Sequence, residues 1–193
     1  MIKEAFFPTF IYAEDFNLDV NFLADQIIEW SKKDEGLTKT NLKGWHSKTH
    51  MHTIPVFKPL VDELCRMQHK IYKEEFLDRE PKLGNMWANI NYKGSLNRPH
   101  VHANSLFSGA YYIKVPKNSG FLKINDPRQG THFIKPSKKD VSIPLYLASE
   151  IHIEPKENRV IMFPSWLEHS VEMNESDDIR ISVSFNFLQD GFQ

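Results

Sequence analysis

The sequence predicts a mainly β protein of the α+β class, with helices packed outside a β-barrel or sandwich. Two observations set this class. Before residue 80, apolar residues recur at three- and four-residue steps; from residue 85 onward, short alternating runs separated by turn residues replace them. Helices that precede strands, rather than alternating with them, argue against a parallel doubly wound sheet. A third observation concerns what the strands carry: three histidines and an arginine fall at or near predicted strand ends.

Taken in order, Phe6 to Tyr12 is short and aromatic with Pro8 inside it, which predicts an edge strand. Asn17 or Asp19 can cap a helix from about Leu18 to Lys33, with Leu18, Phe22, Leu23, Ile27 and Trp30 on one face and Lys32 and Lys33 in the last turn. A polar stretch then leads to Gly44-Trp45-His46-Ser47-Lys48-Thr49-His50-Met51-His52. Its His50-x-His52 precedes a helix start and is read as loop or surface. Pro55 opens a second helix, about Val56 to Leu77, with Val56, Leu60, Leu64, Met67, Ile71 and Phe76 along one side. His69 and Cys65 lie within it; His69 is read as structural or surface, and Cys65 as a small buried apolar side chain.

Strands are predicted at Asn85–Lys93, Ser108–Val115, Gly120–Asn125, Glu150–Pro155, Arg159–Pro164, His169–Met173 and Ile179–Leu188. The short Lys117-Asn118-Ser119 link predicts a hairpin between the second and third of these. Thr131 to Tyr146 is polar, contains Pro136 and Pro144, and is read as a loop or lid. The 193 residues suit a single domain, 1–193, with a helical scaffold over 1–80 and a β core over 85–188.

Composition narrows the partners. A hydrophobic fraction of 40% supports a sizeable core, and a formal net charge of −1 gives no long-range attraction to nucleic acid or anionic membrane. No apolar run reaches the ~18 residues of a membrane span. One cysteine precludes an internal disulfide, and Met1 to Pro8 lacks the succession of a secretory signal, so a cytoplasmic protein is expected. Aromatic residues near the N-terminus leave a homodimer among the expectations.

The chemistry lies in Arg98-Pro99-His100-Val101-His102, Ser108-Gly109-Ala110-Tyr111-Tyr112, Pro164-Ser165-Trp166-Leu167-Glu168-His169 and Arg180-Ile181-Ser182-Val183-Ser184-Phe185-Asn186. In an extended chain His100 and His102 point the same way, so both imidazoles can reach one ion. Arg180 and Ser182 share a strand face, placing a guanidinium beside a hydroxyl; a guanidinium suits bidentate capture of a carboxylate. Each motif alone is commonplace, whereas their joint order and spacing argue for one metal site.

On these residues, the stretch from about 85 to 188 resembles the 2-oxoglutarate and Fe(II)-dependent dioxygenases, and is most similar to the prolyl-hydroxylase-like branch and its small bacterial and phage oxygenases. The resemblance implies a double-stranded β-helix (jelly-roll) core and the cofactors Fe(II), 2-oxoglutarate and O2. It implies that His100 and His169 are metal ligands, that Arg180 and Ser182 bind the far carboxylate of 2-oxoglutarate, and that Tyr112 shares it. It also implies hydroxylation of a protein, peptide or small-molecule substrate. Where that family carries a carboxylate ligand, this chain has His102. Three readings stay open: a three-histidine centre (preferred), a carboxylate from elsewhere with Asp126 as candidate, or an altered site. Competing functions are a cupin-type metalloprotein, which would ordinarily add a glutamate soon after the second histidine, and a non-catalytic β-barrel binding protein.

Overall fold

In the computed structural model, which describes residues 1–2, 4, 7–128, 130, 145 and 148–189, two antiparallel sheets face each other and two helices cover the outer side of the larger one. The strands are β1 Tyr12–Asp15, β2 Asn41–Leu42, β3 Trp45–His46, β4 Lys82–Asn91, β5 Leu96–His100, β6 Phe107–Lys114, β7 Leu122–Asn125, β8 Glu150–Ile153, β9 Arg159–Pro164, β10 His169–Val171 and β11 Arg180–Leu188. The larger sheet has the order β1-β9-β6-β11-β4-β3 and the smaller β2-β5-β10-β7-β8. From β4 to β11 the chain changes sheet at every step except β7 to β8. That winding is the double-stranded β-helix, and it is mostly β as expected.

The two-residue period of the strands sorts side chains between two cores. Met86, Ala88 and Ile90 of β4, with Ile181, Val183, Phe185 and Phe187 of β11, face the helices. Helix α1 (Val20–Ser31) returns Leu23 and Ile27 to this layer, and α2 (Lys58–Glu74) returns Leu60, Leu64, Met67 and Ile71. Each such side chain contributes about 1.5–3 kcal/mol by leaving water. A smaller cluster of Tyr112, Leu122, Ile124, Ile161, Phe163 and Leu167 fills part of the space between the sheets.

Several expectations need correction. β6 and β7 do not form a hairpin: β6 pairs with β9 and β11, whereas β7 pairs with β8 and β10 in the other sheet. Pro116 ends the first strand, and Gly120, at φ +83°, turns the chain across the sandwich; a Cβ there would lie 2.7 Å from two backbone carbonyl oxygens. Cys65 is exposed, and so is Phe76, which follows the last turn of α2 at φ +51°. The first strand begins only at Tyr12, although it does occupy a sheet edge. α1 is shorter than expected, so Lys32 and Lys33 follow it; Asp19 is its cap, accepting from the Phe22 amide at 3.0 Å. Pro55 opens a single 3-10 turn, Pro55–Phe57, before α2. The segment expected as a lid falls almost wholly outside the described residues. No helix among the described residues is long and apolar enough to cross a membrane.

Asn158, at φ +64°, ties the N-terminal segment to the larger sheet. Its Oδ1 accepts from the Leu18 amide at 3.0 Å and the Tyr111 hydroxyl at 2.6 Å, and its Nδ2 donates to the Leu18 carbonyl at 3.2 Å. Asn158→Ala is expected to lower stability by about 1–3 kcal/mol, because it orphans these partners. Asn158→Gly relieves the backbone part of that loss. Equilibrium denaturation of both variants checks the claim, which fails if either matches the wild type.

Candidate functional site

The space between the sheets holds a cavity of about 470 Å³. Its floor is a grid set by register. Arg180, Ser182, Ser184 and Asn186 of β11 lie opposite Asn91, Asn89, Trp87 and Asn85 of β4, and Ser182, Ser184 and Asn186 also oppose Tyr112, Ala110 and Ser108 of β6. The same alternation that sends Ile181, Val183 and Phe185 to the helices turns this polar set inward.

His100 and His169 arrive from the facing sheet, directly opposite each other across the β5–β10 pair. His102 lies two residues past His100, beyond the end of β5, so strand alternation does not aim it. Instead its amide donates to the Ser165 carbonyl at 3.0 Å. The three rings converge with centroids 4.3–5.1 Å apart, and one ring nitrogen from each lies within 4.8 Å of the other two.

The hydrogen bonds fix what these rings offer. His100 Nδ1 lies 2.7 Å from the Arg98 carbonyl, His169 Nδ1 2.9 Å from the Leu167 carbonyl and His102 Nδ1 2.5 Å from Asn186 Oδ1. Each carbonyl oxygen only accepts, so each Nδ1 carries the proton and each Nε2 keeps a lone pair. Burial lowers the pKa of all three; His169, 5% exposed, is held at about 3 by burial first and by the neighbouring His100 next. Three neutral imidazoles facing one point form a donor set that suits iron, zinc, copper or nickel.

Arg180 lies at another part of the cavity, 1% exposed. Its Nη1 donates to the Ser119 carbonyl and, at 3.4 Å, to that of Gly120, while its Nη2 is buried with no partner. Among the described residues no carboxylate pairs with this guanidinium, which makes its burial costly and leaves N–H groups able to donate to an anion. Tyr112 is pushed up to about 12 by burial, against the opposing pull of Arg180, so its hydroxyl remains a donor at neutral pH. Ser182, opposite Tyr112, completes this end.

The structure therefore brings His100, His102, His169, Tyr112, Arg180 and Ser182 into one cavity. Asp126 is outside the histidine cluster: its carboxylate accepts from Arg128 Nε at 3.0 Å and Nη2 at 2.8 Å. His50 and His52 are likewise outside it, and His69 is exposed against Glu80.

Sequence reasoning missed the other walls. Asn85, Trp87, Asn89 and Asn91 line the cavity, and their signal was available as a strand whose second face carries amides rather than charges. His46 also lines it, buried and stacked on Trp87 at 5.3 Å, with Trp87 in turn 5.8 Å from the His102 ring. Only the β3–β4 pairing brings it there, so no local signal marks it.

A family model described as "Putative 2OG-Fe(II) oxygenase" matches residues 85–186. No curated protein matches the sequence. Among solved structures, the chain is similar to a prolyl-4-hydroxylase of Pseudomonas putida, with TM-score 0.67 and 14% identity over 95% of this chain and 94% of that one. It is similar also to a viral collagen prolyl hydroxylase of Paramecium Bursaria Chlorella virus-1 in complex with 2OG, with TM-score 0.61 and 13% identity over 92% and 94%. HygX of Streptomyces hygroscopicus, with nickel and 2-oxoglutarate bound, gives TM-score 0.64 and 11% identity over 96% and 85%. At such identities these likenesses speak for the fold.

Two outcomes are expected of the metal-free protein. Arg180→Met should leave its stability unchanged or raise it, since a buried charge without a counter-ion is removed; a loss above about 2 kcal/mol in chemical denaturation would contradict this reading of the site. On acidification from pH 7.5 to 5, the unfolded chain protonates His169 below its ordinary value of 6.5, whereas the folded chain does so only near 3. Stability should therefore fall with pH by up to about 1.4 kcal/mol per pH unit for this group, and less steeply in His169→Ala.

Proposed function

The chain belongs to the 2OG-Fe(II) oxygenase family, and on that premise we propose that His100, His102 and His169 hold Fe(II) through Nε2 while Arg180, Tyr112 and Ser182 bind the far carboxylate of 2-oxoglutarate. The observation that carries this reading is the buried, unpartnered Arg180 Nη2 in the same cavity as three converging neutral imidazoles. Bound iron supplies activation of O2 coupled to oxidative decarboxylation of 2-oxoglutarate, with the second oxygen atom delivered to a C–H bond of a prime substrate. Everything else is the work of side chains.

The carbonyl partners keep each ligand's proton on Nδ1, so no proton has to leave before metal binds. Three neutral ligands leave the ion its full double charge, which favours a dianionic cosubstrate over a neutral one. Arg180 and the Tyr112 hydroxyl give the far carboxylate charge-assisted hydrogen bonds in a site that excludes water. Phe163 and Leu122 supply apolar wall on this side.

The remaining wall supports a polar substrate without positive charge. His46, Thr49, Asn89, Asn97 and Thr40 line it, and among the described residues no aspartate or glutamate does. His46 Nδ1 faces the Ser47 carbonyl at 2.6 Å, and burial lowers its pKa, so His46 contributes a neutral ring to this wall. With Arg180 and Lys39 as the arginine and lysine of that lining among the described residues, a hydroxyl- or amide-bearing substrate fits better than a polyamine.

Anaerobic titration with Fe(II) and 2-oxoglutarate tests the assignment. A visible charge-transfer band from a chelated 2-oxo acid is expected in the wild type. His169→Ala should lose it with the metal. Arg180→Ala should bind Fe(II) as before but need ~30-fold or more additional 2-oxoglutarate, the equivalent of about 2 kcal/mol for a lost buried charge contact. An unchanged 2-oxoglutarate requirement in Arg180→Ala would refute its role.

A further inference from the structure

The three histidines are not secured alike. His100 and His169 hand their Nδ1 protons to main-chain carbonyls only two residues away, those of Arg98 and Leu167. His102 has no such carbonyl. Its Nδ1 donates to the side-chain oxygen of Asn186, 84 residues on, in the middle of the larger sheet.

That oxygen belongs to a connected chain of side-chain hydrogen bonds. Asn186 Nδ2 donates to Asn85 Oδ1 at 2.6 Å, which leaves Asn186 Oδ1 turned the other way as an acceptor. Ser108 Oγ donates to that Oδ1 at 2.7 Å. Ser165 Oγ, 2.7 Å from Ser108 Oγ, must then be the donor of that pair, and the Ser165 carbonyl receives the His102 amide. Ser108 and Ser165 are both fully buried and Asn186 is 7% exposed, so water does not compete for these groups. Asn186 thus meets two donors with one oxygen and leaves His102 Nδ1 no role except donor.

We propose that Asn186 is a positioning residue for the metal: it holds the tautomer and ring orientation of His102, and thereby makes a third neutral imidazole a competent ligand. This rests on the three-histidine reading of the site. It also assigns a purpose to the Asn85–Asn186–Ser108–Ser165 network, which is a polar row across a strand layer that could otherwise be apolar.

The test uses Co(II) alone as probe, read by its ligand-field absorption and by titration, with wild type, Asn186→Leu and Asn186→Asp compared. The wild type is expected to bind Co(II) at a site that His169→Ala abolishes; a wild type without Co(II) binding sinks the three-histidine reading itself. Asn186→Leu should weaken Co(II) by ~10–100-fold and alter its absorption bands. Asn186→Asp retains an acceptor for the His102 N–H and adds negative charge, so it should keep affinity near or above the wild type while shifting the bands. If Asn186→Leu binds Co(II) with wild-type affinity and spectrum, the inference is overturned. It is overturned equally if Asn186→Asp loses the metal as Leu does while keeping the wild-type thermal transition. Should Asn186→Leu fail to fold, the Asp variant decides alone, since a structural role predicts no spectral shift.

Discussion

The floor of this site, on which the rest is built, follows from the two-residue period of β11. It lies between β4 and β6, so its register fixes what both neighbours present to either side. Odd-numbered residues Ile181 to Phe187 fill the layer under the helices, and even-numbered residues Arg180 to Asn186 look into the cavity. A slip of one residue would bury a guanidinium in the helical layer and turn Phe185 onto the floor of the cavity. Packing and function therefore enforce the same register, and the apolar half supplies the free energy that the polar half does not.

The polar half is electrostatically one-sided. Arg180 is a fixed buried cation, and the three imidazoles are held neutral by burial, with carbonyl acceptors keeping the proton on Nδ1. Among the described residues no carboxylate balances them inside the cavity. On the proposed assignment a third imidazole, His102, stands where a carboxylate ligand would take part of the ion's charge, so the cavity would favour anions more strongly. On that assignment a 2-oxoglutarate dianion would offset both the ion and the arginine at once, making cosubstrate binding and charge neutralisation one event.

Much of this was legible in the sequence. The change from helical to alternating periodicity at residue 85 located the β core, and the order His100, His102, Tyr112, His169, Arg180, Ser182 marked residues that the structure gathers in one cavity. What stayed hidden depended on long-range pairing. The Lys117–Ser119 link looks like a hairpin turn locally, yet β6 and β7 belong to different sheets because their partners, β11 and β10, do. His46 is brought in only by the β3–β4 pair, and Asn186 reads as a strand residue until His102 is placed against it. Cys65 and Phe76 failed for a simpler reason: helical periodicity names an apolar face, but not how far the covering layer extends along it.

Trp87 stands between His46 and His102, within ring-contact distance of each, and is the one tryptophan in the cavity lining. Trp30 and Trp45 pack against each other elsewhere, and Trp166 is exposed. The protein therefore carries a built-in fluorophore at its own reaction chamber. A change at His102 or at His46 alters the surroundings of that indole, so its emission can respond to occupancy of the cavity. A search for the missing substrate could begin with unlabelled compounds and a fluorimeter, before any product has been identified.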